Sequence, residues 1–440
     1  MSESTYDNYQ QTDYDWIGNI PAHWKWLYLS QVCSEQSVKN TGNIESNVLS
    51  LSYGNIIKKK NIDFGLSPKD YGTYQIVYDG NIIMRLTDLQ NDHKSLRTGL
   101  VREKGIITSA YVCLKPFENS AYLQYLLHSY DTQKYFYGLG GGVRQSIGYK
   151  DIRYINVPLP SQDEQDQIVR YLDWKVSQIN KLISAKKKQI ALLKEQRQTA
   201  IEEILSSISA STILCRYLGT LQNGISESGD FFTTGTPFVN YSDIYKNEVL
   251  PIEVTGRAKS TEQHQKTYSV EKGDIFFTRT SETIDEVGLT SVCDATIPQA
   301  IFSGFVIRLR PKQDTFYNPY AKYFFRSKRV RDYFTQEMNL VTRVSLGQTL
   351  LKNLPVLLPD MDMQKAVALK LDKKCATIDK VIAKLNDEIS LVFEYRTRLI
   401  ADVVTGKMDV RGVVVPNYES ITSFVEIESD ELDEMEDFNL

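Results

Sequence analysis

Residues 85–99 read RLTDLQNDHKSLRTG and residues 278–288 read TRTSETIDEVG. Each stretch leaves a glycine-led run with strand character, DGNIIM before the first and KGDIFF before the second. Arginine can read guanine edges and amides can read adenine, while hydroxyl and ammonium groups reach bases or phosphates. Downstream of each lies a second loop with one arginine, GLGGGVRQSIG at 138–148 and NLVTRVSLG at 339–347. The candidate DNA-contacting residues are therefore Arg85, Thr87, Gln90, Lys94, Arg97 and Arg144 in the first half of the chain, and Arg279, Thr280, Ser281 and Arg343 in the second. Polar residues fill many surface loops with no such role. The argument for a shared role is their corresponding placement in both halves, and Arg85 and Arg279, each following a glycine-led strand into a polar loop, are expected at the DNA face of their respective domains.

Other chemistry finds no residues to carry it. There is no G-x-x-x-x-G-K-[ST] phosphate loop, and the glycines at 138–142 do not lead from a strand into a βαβ unit. Asn318-Pro319-Tyr320 lacks the second proline of an amino-methyltransferase motif, and it opens a helix, where a first-turn proline is ordinary. The four histidines and five cysteines are scattered without metal-ligand spacing. The expectation is a chain with no catalytic residues, no metal and no cofactor of its own. Sparse, odd-numbered cysteines point to reduced thiols and a cytoplasmic setting. The acidic, polar start does not read as a signal peptide, and no apolar run is long enough to cross a membrane.

Net charge is −4, but nine acids and no base lie between Glu419 and Leu440. The remainder has 51 bases against 46 acids, so the charge balance neither supports nor excludes DNA. The tail, within 412–440, reads as a solvated, disordered end.

The elements that must position the loops are written twice. Shifted by 199, residues 144–201 match 343–400 at 19 of 58 positions without a gap, including Arg144/Arg343, Gly148/Gly347, Pro160/Pro359, Gln165/Gln364, Asp173/Asp372 and Arg197/Arg396. Each copy begins with an extended run ending in proline, which disfavours helix just before itself. Ser161 or Asp360 then stands where a helix cap belongs, with acids in the first turn. A long helix follows, with apolar positions alternating by four and three. In the first copy they run Leu172, Val176, Ile179, Ile183, Lys186, Ile190, Leu193, Arg197, Ala200, Ile204, and in the second Leu371, Cys375, Ile378, Ile382, Leu385, Ile389, Val392, Arg396, Leu399, Val403. This is a heptad seam interrupted only by Lys186 and the paired arginines. Two equivalent halves of one chain related by a pseudo-two-fold axis make the helices an antiparallel coiled coil. The fold class is α+β, with two mixed α/β domains, 1–150 and 211–349, separated by helical segments at 151–210 and 350–411. Amphipathic helices are expected at 122–136 and 320–334. A coiled-coil adaptor that binds no nucleic acid is the competing reading.

These features together resemble the specificity subunit of Type I DNA restriction–modification systems. The resemblance rests on YDWIGNIPAHWKW (14–26), RLTDLQ (85–90), GVRQSIGYKDIRYINVPLPSQDEQDQIVRYLD (142–173), RVSLGQTLLKNLPVLLPDMDMQ (343–364) and LIADVVTGKMDVR (399–411). It covers nearly the whole chain except the acidic tail. It departs at DMDMQ, where the family favours Glu before the Gln. The resemblance implies that the two α/β segments are target-recognition domains, each reading half of a split sequence in double-stranded DNA. The helical segments would be the spacer and the docking surface for methyltransferase (modification) subunits, and a restriction/translocase subunit would join them. S-adenosylmethionine and ATP with magnesium would sit on those partners, and this chain would have no activity alone.

Overall fold

The computed structural model describes residues 5–52, 54–59, 70–89, 96–139, 146–227, 234–281, 286–337 and 344–418. It divides into two compact units, Met1–Lys188 with Leu385–Leu440, and Gln189–Lys384. Each unit contains one α/β domain and half of each of two long helices, Gln162–Ser206 and Met361–Val404.

In the first unit a six-stranded sheet runs in the order Cys33–Gln36, Val112–Pro116, Ile82–Met84, Thr98–Leu100, Asn55–Lys58, Leu49–Ser52. All its pairings are antiparallel except that of Thr98–Leu100 with Asn55–Lys58. Ile82, Ile83 and Met84 are completely buried, as a central strand of β-favouring residues should be. The second unit has a four-stranded antiparallel sheet ordered Gly219–Asn223, Val306–Pro311, Ile275–Thr278, Thr290–Val292, and Ile275–Thr278 is likewise buried throughout.

The helix expected at 122–136 runs over Ser120–Thr132 and continues as a short 3-10 turn, Tyr135–Gly138. The one expected at 320–334 is broken into Asn318–Phe325 and Lys328–Glu337. The break lies at Arg326, whose guanidinium turns inward and donates to the carbonyls of Thr290, Ile244 and Asn247. Three backbone carbonyls gain a donor there.

The heptad seam is buried. In the first unit Leu172, Val176, Ile179, Ile183, Leu385, Ile389, Leu399 and Val403 are all under 9% exposed. In the second unit the same holds for Ile190, Ala200, Ile204, Leu371 and Cys375. The helices are antiparallel within each unit. Arg396 donates to Asn180 Oδ1 (3.0 Å) and Lys186 meets Glu388 (2.5 Å) in the first, while Arg197 meets Asp379 (3.0 Å) and Lys374 meets Glu203 (3.8 Å) in the second. The three charges that interrupt the seam thus have polar partners across it. The second helix ends at Gly406, whose left-handed φ of 74° and position against Pro21 and Trp24 leave no room for a Cβ.

No helix among the described residues is long and apolar enough to cross a membrane. All five cysteines are buried and unpaired, and burial pushes the thiols of Cys33, Cys113, Cys215 and Cys293 up to about 12, which keeps them unreactive.

Candidate nucleic-acid interface

The repeated Pro-x-x-x-x-Gln element is an anchor. Gln165 Nε2 donates back to the Pro160 carbonyl (3.0 Å) and to Glu118 Oε2 (3.1 Å). Gln364 Nε2 donates to the Pro359 carbonyl (3.0 Å) and to Thr315 O (3.1 Å), while its Oε1 accepts from the Tyr317 amide (2.8 Å). Both glutamines are almost completely buried. Two tyrosines per domain finish the attachment. Tyr122 donates to Pro158 O, and Tyr320 donates to the repeat counterpart of that carbonyl, Leu357 O. Tyr125 donates to Asp173 and Tyr323 to Asp372, both at 2.8 Å. Burial raises the Asp173 carboxyl above its ordinary value. Each α/β domain is therefore fixed to the start of one long helix by a shared pattern, a Gln back to the Pro carbonyl and a Tyr to the helix Asp, completed by different neighbours.

Each domain brings its two arginine-containing segments side by side. In the first, the Ile147 amide donates to Leu86 O (3.0 Å). In the second, the Leu346 amide donates to Arg279 O (2.7 Å), and Thr280–Ser281 pairs antiparallel with Val344–Ser345. Leu86 and Leu89 are buried, whereas Arg85 before them and Thr87 and Asp88 between them are half-buried, so the loop is pinned by its apolar residues. Asp88 has a left-handed φ of 56°. Beside Thr87 lies a groove of about 270 Å³, lined among others by Gln36, Ser37, Ser109, Ser146 and Gly148.

Arg85 and Arg279 are not structural equivalents. Met84 pairs with Thr98 as Phe277 pairs with Thr290, which aligns Arg85 with Thr278 and Leu86 with Arg279. The same alignment makes Leu86 and Arg279 the two residues whose carbonyls receive Ile147 and Leu346. The arginines are thus one residue apart in register, which on an extended chain means opposite sides. Arg279 is half-buried, and its guanidinium donates to Gly304 O (3.2 Å).

Arg97 corrects the sequence expectation directly. It is 0% exposed and has no surface to offer DNA. Its Nη1 donates to the carbonyls of Arg85 (3.0 Å) and Thr87 (2.8 Å), its Nη2 to Asp88 O (3.3 Å) and its Nε to Tyr137 Oη (3.0 Å). Thr280 is half-buried, and of Ser281 only the backbone is described. Gln90, Lys94, Arg144 and Arg343 lie outside the described residues.

Sequence reasoning passed over several residues. Glu164 read as a first-turn helix acid. In the structure it is a buried carboxylate that accepts from Tyr6 Oη (2.7 Å) and Trp24 Nε1 (3.1 Å), with His23 Nε2 at 2.9 Å. Its repeat counterpart is the exposed Met363, so the DMDMQ departure falls where no such cluster is built. Glu248, 3.0 Å from Arg197, had no signal at all. Among the described residues no group of His, Cys, Asp or Glu could hold a metal ion.

Comparison with known proteins gives a consistent set. A family model for the Type I restriction modification DNA specificity domain matches residues 100–192 and 222–391. The Type I restriction enzyme EcoKI specificity subunit of Escherichia coli (strain K12) is 21% identical over 277 residues. The StySPI specificity subunit of Salmonella potsdam is 20% identical over 268 residues. In both cases the match covers 58% of this chain and 58% of the relative's length. A solved chain described under "complex assembly and conformational transition of the type I R-M system" is similar in fold, with a TM-score of 0.59 at 14% identity, over 88% of this chain and 98% of that one.

Proposed function

Because the chain belongs to the Type I restriction modification DNA specificity domain family, we propose that it is the DNA sequence-recognition subunit of a Type I restriction–modification complex. On this reading it has no catalytic activity of its own and recognises a bipartite target in double-stranded DNA, one half-site per α/β domain. The observation that carries the proposal is the duplicated anchor. Two diverged loop-bearing domains are each attached to the start of one long helix by corresponding contacts, Gln165 and Asp173 in one and Gln364 and Asp372 in the other. Diverged loops on a repeated mount suit two different sequences read by one device.

The partner surface has a candidate too. Leu182 (46% exposed) and Leu391 (64%) stand on the helix pair of the first unit, and Val381 (41%) and Leu192 (66%) on that of the second. Leu182 and Val381 are 199 residues apart, as are Leu192 and Leu391. Each unit thus presents the same exposed apolar pair, which fits two copies of one partner, the methyltransferase subunit. A restriction/translocase subunit would join that assembly. S-adenosylmethionine and ATP would be held by these partners.

The test is an adenine-methylation map of host DNA, with and without this gene, in cells carrying the methyltransferase subunit. The expected result is one new motif of two short blocks separated by unspecified bases. A single continuous motif, or none, would overturn the proposal. Leu192→Glu together with Leu391→Glu should release methyltransferase from the purified complex, and unchanged co-purification would remove these leucines from the interface.

A further inference from the structure

We propose that Arg97 is a positioning residue for recognition of the first half-site. It sets the conformation of the 85–89 loop from beneath and never touches DNA. The inference rests on the reading of this chain as a specificity subunit and adds to it a residue whose effect on sequence choice is indirect.

The geometry has three parts. First, the Arg97 guanidinium reaches three carbonyls within four residues of the loop, those of Arg85, Thr87 and Asp88. A planar fork of fixed donors can hold three acceptors at once only in one arrangement of the backbone that bears them. That backbone includes Asp88 at φ 56°, a left-handed conformation uncommon outside glycine that aspartate tolerates better than most residues. Second, Arg97 is itself held. Its backbone amide donates to Asp131 Oδ2 (2.6 Å) on helix Ser120–Thr132, and its guanidinium lies 5.1 Å from the Tyr137 ring centre. The loop is thereby referred to the helix that anchors the whole domain through Tyr122 and Tyr125. Third, among the described residues no side chain of the second domain makes this set of contacts. The position corresponding to Arg97 is Leu289. The loop there is tied instead by Thr278 Oγ1 donating to Glu286 O (2.6 Å) and by Arg331 donating to Val287 O. A change at Arg97 acts on one domain alone, which makes the other domain an internal control.

The experiment uses the full chain in complex with its methyltransferase subunit. Wild type, Arg97→Met and Arg97→Lys are each expressed in a host lacking other adenine methylation, and the methylated motifs are mapped. Methionine keeps the apolar stem without donors, and lysine keeps the charge without the fork. For both variants the expected result is a relaxed first half-site, with at least one base position losing about tenfold in preference, while the second half-site keeps its sequence and its stringency. A residue that merely stabilised the domain would lower methylation at every site without altering the motif. Motifs identical to wild type would overturn the inference. So would loss of all methylation accompanied by loss of hydrogen-exchange protection in the sheet of the first domain, because Arg97 would then be holding up the fold and not the loop. If the wild-type complex itself writes no two-block motif, the specificity-subunit reading is what fails.

Discussion

Gln165 and Gln364 do one job with different partners, and the difference sets their expected cost. Gln364 satisfies two carbonyls and one amide with a single buried side chain. Replacing it with leucine leaves those groups without their partner, and each buried orphan costs about 1–3 kcal/mol. Gln364→Leu should lower the unfolding free energy of the full chain by at least the cost of one such orphan, about 1–3 kcal/mol, and a change under about 0.5 kcal/mol would rule out an anchoring role. His128 supplies the pH dependence. Burial, aided by the nearby Arg396 charge, holds its imidazole down at about 4 in the folded chain. The unfolded chain, with an ordinary histidine near 6.5, binds the extra proton first as pH falls. His128 therefore takes nothing from stability above about pH 6.5 and lowers it as the pH drops towards 4, by at most about 3 kcal/mol. In melts between pH 7 and 4.5, His128→Gln should flatten that slope, and an unchanged slope would exclude His128 as its source. Single residues were the least legible scale in the sequence. The candidate loop residues could be named by type, but Arg97 reads the same whether it faces DNA or turns inward. Only the carbonyls it meets decide, and backbone carbonyls leave no mark in a sequence. The offset between Arg85 and Arg279 was legible in part, since Arg85 lies five residues after Gly80 and Arg279 six after Gly273, but only strand pairing fixes the register that makes the difference count.

At the scale of elements the sequence said more, because periodicity and repetition survive without knowledge of partners. Every seam position is buried or half-buried, and both helices start just past their proline. The broken helix at Arg326 was not legible, since its amphipathic pattern runs straight through the break. The duplicated arginines look interchangeable in sequence, but their partners predict unequal effects. Arg396 holds Asn180, which is 1% exposed. Arg197 holds Asp379 and Glu248, whose side chains are 50% and 31% exposed. Arg396→Leu should cost about 1–3 kcal/mol, because it leaves a buried amide oxygen without that donor. Arg197→Leu should stay within about 1 kcal/mol of wild type, because its carboxylates return to water and leucine suits the seam. Denaturant titration of the two variants checks the order, and equal losses would mean that burial of the partner does not decide.

At the scale of the whole molecule, the two helices run unbroken from one compact unit into the other, and each α/β domain is anchored at the start of a different helix. If the domains read separate half-sites, the helix pair is the element that sets the unread gap between them. The sequence gives the seam but not which residues face each other across it. The contacts do: Asn180 meets Arg396 and Lys186 meets Glu388. Positions 183 and 392 therefore lie opposite one another between these two contacts. One heptad inserted after Ile183 and one after Val392 keeps the seam continuous and both flanking contacts in register. Each helix lengthens by about 10 Å at 1.5 Å per residue. Against a DNA turn of about 34 Å for 10–10.5 base pairs, that is at most about three base pairs, and fewer if the helices are inclined to the duplex. The two half-site sequences should not change, because both loop sets and both anchors are untouched. An insertion in one helix alone should abolish modification, since it shifts one seam against the other. The measurement is the methylated motif in cells carrying the double insertion. An active complex that still writes the original gap would show that something other than these helices fixes the spacing.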